Sequence, residues 1–282
     1  MASNKEVIIA GDGNGIKYLY QGVVGYFDQI YVFTNTKEVI DSSDNTEFID
    51  DFFAVETKHV ICSAYAPLLS NEVLAKKEFL NIHYALLPRF RGMHPIVWGI
   101  LNDEKFLGFT LHLMDEHMDS GPIIYQYKIA NDFSSTATDY MFKCHENVKK
   151  NIGQVLCDYY SGKIELQHQD KKSAVWGAKR NLDDCKINFC FTNNQLKNFF
   201  RALVRPYPLP FFTFKGKRFF ITSHKIIERK LDFFTLGRVV NIDDEGLWIK
   251  VKEGYLVVSA LEDELGNDIK IKESFRIGSR LA

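Results

Sequence analysis

The feature that most constrains this chain is a series of short apolar runs, separated by stretches long enough to cross back over a sheet. A β-branched run from Glu6 to Ala10 ends in Gly11-Asp12-Gly13-Asn14-Gly15, and an apolar-periodic stretch follows: strand, glycine turn, helix. Ile30 to Phe33 and His59 to Cys62 are further strands, Asn71 to Lys77 reads as a helix, and Phe79 to His83 is the next strand. A helix starts near Pro95, a residue favoured in a first turn. From Leu107 to Leu113 large apolar residues alternate with Gly108, Thr110 and His112, which predicts a strand packed on one side. Thr136 to Tyr160 carries the clearest amphipathic helical spacing in the chain. Such alternation specifies an α/β fold, a mostly parallel sheet flanked by helices. After Arg205-Pro206-Tyr207-Pro208, short strands at 211–214, 217–223, 238–242, 247–251 and 256–261 predict a smaller C-terminal β-rich domain. The expected division is a catalytic domain over 1–200, a linker and hairpin over 201–234, and the β domain over 235–282.

Charge removes several classes of function. Among 282 residues, 35 Lys and Arg stand against 36 Asp and Glu, a net charge of −1, which disfavours a broad nucleic-acid or anionic-membrane surface. No apolar run approaches the ~18 residues a membrane span needs. The apolar stretch near the N-terminus is too short for a signal peptide, so a cytoplasmic location is expected. Five cysteines (Cys62, Cys144, Cys157, Cys185, Cys190) without C-x-x-C spacing suggest reduced thiols with packing roles, and no metal site.

Two places invite chemistry. In the glycine turn, the third glycine of a dinucleotide fingerprint would fall on Ile16, and the second strand ends in Asn35-Thr36 rather than an acid, so a nicotinamide cofactor is disfavoured. Gly11 and Gly13 remain candidates for passing near an anionic ligand. The stronger signal is Asn81 and His83, which point to one side at the carboxyl end of a strand, where open α/β sheets bind ligands. Asp119 follows 38 residues after Asn81 in a loop between two strands, where a sharp turn would bring its carboxylate back over them. An amide, an imidazole and a carboxylate suit acyl transfer to an amine: an oxyanion donor, a base and its support.

Asn81-Ile82-His83-Tyr84-Ala85-Leu86-Leu87-Pro88-Arg89-Phe90-Arg91-Gly92, with Gly108-Phe109-Thr110-Leu111-His112 and Asp119-Ser120-Gly121-Pro122, closely resembles the formyltransferase family that uses N10-formyltetrahydrofolate. Members often have H-G-S-L-L-P where this chain has His83-Tyr84-Ala85-Leu86, so a loop hydroxyl is missing. The resemblance implies a Rossmann-like sheet and Asn81, His83 and Asp119 as catalytic residues. It implies a pterin pocket walled by Ser63 to Leu69 and Met114 to Met118. Cofactor contacts are then expected from Tyr65, Leu86, Leu87, Pro88, Met114, Asp115 and Met118, and acceptor contacts from Gly11, Gly13, Arg91, Gly92, Arg205 and Tyr207. Ordinary packing is the other reading of Tyr65, Leu86 and Leu87. The family includes methionyl-tRNA formyltransferase, glycinamide ribonucleotide transformylase and the sugar N-formyltransferases.

Charge distribution then separates acceptors. Residues 196–230 hold nine Lys or Arg against Glu228, whereas 231–282 hold seven bases and ten acids. Transfer RNA would demand positive potential across that second stretch. A patch of Arg201, Arg205 and nearby lysines suits one diphosphate, with Tyr207 stacking on a base; a solvated basic face is the other reading. The expected acceptor is therefore a nucleotide-linked amino sugar, first a dTDP-4-amino-4,6-dideoxyhexose and next its 3-amino isomer, in surface-glycan synthesis such as O-antigen or lipopolysaccharide. The expected partners are small molecules, without nucleic acid or membrane insertion, and a homodimer is compatible with the C-terminal strands. Methionyl-tRNA formylation and a non-catalytic folate- or nucleotide-binding role remain as alternatives.

Overall fold

A computed structural model describes residues 5–65, 67–229 and 235–282, so Ala66 and Lys230 to Phe234, within stretches named above, lie outside the described residues. In chain order the elements of the first part are β1 (Glu6–Gly11), α1 (Gly13–Val23), β2 (Gln29–Phe33), β3 (Thr46–Phe48), β4 (His59–Ser63), α2 (Asn71–Leu74), β5 (Glu78–His83), β6 (Arg91–Gly92), α3 (Pro95–Leu101), β7 (Phe106–Leu113), β8 (Ile123–Ala130), α4 (Ala137–Tyr160) and β9 (Trp176–Gly177). There follow α5 (Asn193–Ala202), β10 (Phe211–Phe214), β11 (Lys217–Glu228), β12 (Val239–Ile242), β13 (Leu247–Val251) and β14 (Gly254–Glu262).

The chain packs as two units. The first takes in the described residues of Met1–Gly99, Glu104–Asn131 and Asp139–Lys179; the second takes in Ile100–Asp103, Asp132–Thr138 and the described residues of Arg180–Ala282. Its boundary at Arg180 differs from one at 200, because α5 packs on β11 and belongs to the second unit.

A seven-stranded sheet in the order β3-β2-β1-β4-β5-β7-β8 forms the first unit. Its first five strands are parallel, while β7 runs antiparallel to both β5 and β8. Val7, Ile8, Ile9 and Ala10 are fully buried, as a continuous apolar run in a covered parallel strand requires. On α4, Tyr140, Cys144, Val148, Ile152 and Leu156 repeat at every fourth position and form its buried stripe.

Three expectations need correction. First, β7 is buried on both sides from Leu107 to His112, not on one. Its polar face is covered because Thr110 Oγ1 donates to the Ala85 carbonyl (2.6 Å) and accepts from the Leu87 N–H (3.1 Å). Second, the helix from Asn71 stops at Leu74, and Lys77 turns inward to donate to the carbonyls of Val55 (2.8 Å) and Thr57 (2.5 Å). Third, Cys190 is exposed, whereas Cys62, Cys144 and Cys185 are buried and all five thiols are free.

The second unit is an antiparallel sheet in the order β10-β11-β14-β13-β12. Among the described residues, no helix is long and apolar enough to cross a membrane.

Gly11 ends β1 at φ +145°, where an added Cβ would stand 1.7 Å from the Ser63 carbonyl oxygen on β4. Gly11→Ala should therefore cost about 3 kcal/mol or more in urea unfolding. Gly25, at φ +89° with open space around it, should cost about 1 kcal/mol on the same change. Equal losses would contradict the close approach of β1 and β4.

Candidate active site

The register of β5 against β7 sets Asn81 directly across from His112, and His83 across from Thr110. After β7 the loop turns through Asp119, a non-glycine residue at φ +52°, and this left-handed turn swings its carboxylate over the end of β5. Left-handed backbone is costly for an L-residue. Ala64, Phe90 and His94 share it: Ala64 and His94 line the same cleft as Asp119, and Phe90 meets His83 through its carbonyl.

Asp119 is the hub. Its Oδ2 accepts the Gly92 N–H (2.8 Å) and faces His83 Nδ1 (3.5 Å). Its Oδ1 accepts from Asn81 Nδ2 (3.3 Å) and lies 3.4 Å from His112 Nε2. On the far side of its ring, His83 Nε2 is 2.8 Å from the Phe90 carbonyl, which only accepts, so Nε2 carries the proton and neutral Nδ1 is left as the base. His112 is oriented similarly, its Nδ1 donating to the Leu113 carbonyl (2.7 Å). The Asn81 amide makes only long contacts, 3.3 Å to Asp119 and 3.4 Å to His112, and can turn a hydrogen toward an oxyanion.

Electrostatics follow from this geometry. Burial pushes the Asp119 carboxyl up, but His112, His83 and the Gly92 N–H outweigh it and hold the group down to about 2. Burial drives the His83 imidazole below its ordinary value; the Asp119 carboxylate and the Phe90 carbonyl pull upward, His112 pushes down, and burial wins. A fixed carboxylate beside a neutral imidazole is the arrangement a base needs in order to accept a proton and have the resulting cation stabilised.

These groups sit in a cleft of about 360 Å³. Tyr65, Leu69, Leu74, Met114 and Met118 supply much of its wall, and Asp115 and Gly92 also line it. A larger cavity of about 650 Å³ lies at the amino ends of β1 and β4; of its lining groups Lys163 pairs with Asp158 and His59 with Glu78.

Several expected contacts fall elsewhere. Leu86, Leu87 and Pro88 do not line the cleft: Leu87 is core, its N–H spent on Thr110, and Leu86 faces a separate hollow beside Phe106. Gly11 serves strand approach, and the Gly13 N–H donates to Thr36 Oγ1 (2.8 Å) while the Asp12 carboxylate accepts the Asn35 N–H (2.8 Å), so the turn is closed on itself rather than open to an anion. Arg91 is buried, 5% exposed, with its guanidinium on Gln169. Arg205 and Tyr207 belong to the second unit, where Arg205 pairs with Glu262 (2.6 Å). Arg201 is buried against Asn198 and the Ser135 carbonyl and is no part of a surface patch. His112 and the Phe90 carbonyl join the site unannounced by sequence, although an antiparallel β7 would have placed His112 opposite Asn81; Gly92, expected as an acceptor contact, gives its N–H to Asp119.

Residues 29–156 match the family described as "Formyl transferase", and residues 180–278 match "Formyl transferase, C-terminal domain". The chain belongs to the formyl transferase family. A methionyl-tRNA formyltransferase of Clostridium tetani is 27% identical to it over 239 residues, covering 83% of this chain and 75% of that protein. Among solved structures, an N-formyltransferase from Helicobacter canadensis in complex with folinic acid and dTDP-3-aminofucose aligns with a TM-score of 0.70 at 21% identity, over 91% of this chain and 98% of that one. HypX from Aquifex aeolicus in complex with tetrahydrofolic acid aligns at a TM-score of 0.67 and 16% identity; 95% of this formyltransferase spans only 46% of HypX.

A base at His83 would work only unprotonated, and its burial would place the loss of activity below the ~6.5 of free imidazole. The rate should be flat at neutral pH and fall through a single acid limb centred below about 6.5. A limb centred above that value would contradict a base dominated by burial. Asn81→Ala should lower kcat by about 10²–10³, the range for removing one oxyanion donor.

Proposed function

We propose that this enzyme transfers a formyl group from N10-formyltetrahydrofolate to the amine of a nucleotide-linked amino sugar, with a dTDP-linked amino-dideoxyhexose as acceptor. The observation that carries the reading is the convergence of Asn81 and His83 Nδ1 on a buried carboxylate in an apolar-walled cleft of a formyl transferase.

The cleft suits a flat heteroaromatic ring with polar edges: Tyr65, Leu69 and Met114 offer apolar faces. Formyl-folate supplies the activated carbonyl carbon. As the acceptor amine bonds to that carbon, the Asn81 amide donates to the oxygen that gains charge, and His83 Nδ1 takes the amine's proton. Asp119 holds the imidazolium so formed. Collapse breaks the bond to the folate nitrogen, and the proton passes from His83 to that leaving nitrogen, so no net proton is consumed.

Acceptor choice rests on charge. In the second unit Arg205 pairs with Glu262, Arg218 with Asp183 and Glu264, and Lys225 with Glu245. Three bases of the stretch are thereby matched by acids, which supports a small acceptor over a polyanion. Methionyl-tRNA is the second reading, favoured by the Clostridium relative.

Formyl-folate incubated with a panel containing dTDP-linked 4-amino and 3-amino dideoxyhexoses, and in parallel with charged initiator tRNA, separates these readings. One of the sugars should gain a formyl group by mass while the tRNA stays unmodified. Formylation of the tRNA with no sugar modified would overturn the acceptor proposed.

A further inference from the structure

Arg91 and Gln169 stand apart from the reacting groups, yet their hydrogen bonds lead straight to them. Buried Arg91 donates through Nε (3.1 Å) and Nη2 (2.7 Å) to a single oxygen, Gln169 Oε1, and its guanidinium carbon lies 5.7 Å from the Trp176 ring. The amide's other end then donates twice: Gln169 Nε2 reaches the carbonyl of Asp119 (3.0 Å) and that of Gly121 (2.7 Å). A cation on the amide oxygen polarises the amide and strengthens its N–H donors.

The ends of this chain of bonds are fixed. Arg91 is anchored on β6, whose backbone meets the segment around β9 through Arg91 N–H to the Val175 carbonyl and Met93 N–H to the Gly177 carbonyl (2.9 Å each). Gln169 follows Gln167, which exchanges backbone hydrogen bonds with Ile123 at the start of β8 (2.8 and 3.0 Å). Between them lies the turn at φ +52° that aims the carboxylate of Asp119. Left-handed backbone persists only where its surroundings over-determine it.

The geometry points to Gln169, polarised by Arg91, as the positioning residue that clamps Asp119 in its left-handed turn and sets the carboxylate against His83. This deepens the formyl-transfer reading and rests on it for its catalytic consequence. With the amide removed, the Asp119 and Gly121 carbonyls lose their shared donor, the turn relaxes, and Oδ2 withdraws from Gly92 N–H and His83 Nδ1.

The titration of His83 reads this directly, without folate or acceptor, so it stands whether or not the proposed sugar is the substrate. The full chain labelled with ¹⁵N-histidine, with His83→Gln used to assign the resonance, would be compared with Gln169→Met and Gln169→Ala. Asp119 and His112 are the titratable groups facing His83, and Asp119 is the one that raises it. Withdrawal of the carboxylate should lower the His83 midpoint by about one pH unit in both variants. It should also reduce kcat about 10–100-fold with KM for formyl-folate within about twofold. A role confined to fold stability would shift the melting temperature and leave the midpoint in place. A wild-type midpoint in either folded variant overturns the proposal, as does a rise in KM with kcat unchanged.

Discussion

The rest of this site depends on one buried carboxylate. Asp119 collects the Gly92 N–H, the Asn81 amide and the rings of His83 and His112 around its two oxygens. These four partners come from three elements, Asn81 and His83 from β5, His112 from β7 and Gly92 from β6, so the carboxylate fixes the mutual placement of all three. Taking a charge out of water is expensive, and an ion that stays charged when buried must be richly bonded. Those bonds outweigh burial and keep Asp119 ionised, while the same burial keeps His83 neutral. One desolvated pocket thus holds a neutral imidazole able to accept a proton beside a fixed negative charge able to stabilise the cation that results.

Backbone geometry makes the arrangement possible. Phe90 at φ +54° presents a carbonyl to His83 Nε2, and Gly92 at φ +95° presents an N–H to Asp119, so a three-residue stretch grips both the base and its counter-ion. An added Cβ on Gly92 would approach the Gly177 carbonyl to 2.7 Å, which ties that grip to the pairing of β6 with β9. Arg91, between these two residues, is bonded to Gln169, whose amide reaches the Asp119 and Gly121 carbonyls of the turn.

Much of this was legible in the sequence. Short apolar runs placed β1, β2, β4 and β5, and alternation placed β7, within a residue or two of their observed bounds, and the i, i+2 relation of Asn81 and His83 put both on one face. The left-handed turn that delivers Asp119 was the geometry its position in a strand-to-strand loop required. What stayed hidden depends on pairings between distant segments. The alternation in β7 marked Gly108, Thr110 and His112 as an exposed face, because nothing local reveals that β8 and the loop after β5 cover it. Arg91 read as a substrate contact because its partner lies 78 residues away. The basic stretch looked like an anion site until β11 was paired with β14, bringing acids of the tail beside it.

Single-turnover formyl transfer by Asp119→Asn, with folding checked by circular dichroism and folate binding measured separately, isolates the contribution of this carboxylate. The amide preserves the shape of the side chain but removes the charge that organises His83. The chemical step should slow by about 10³ with folate affinity changed by less than about threefold. Near-wild-type transfer by the folded variant would contradict the claim that this carboxylate organises the reaction.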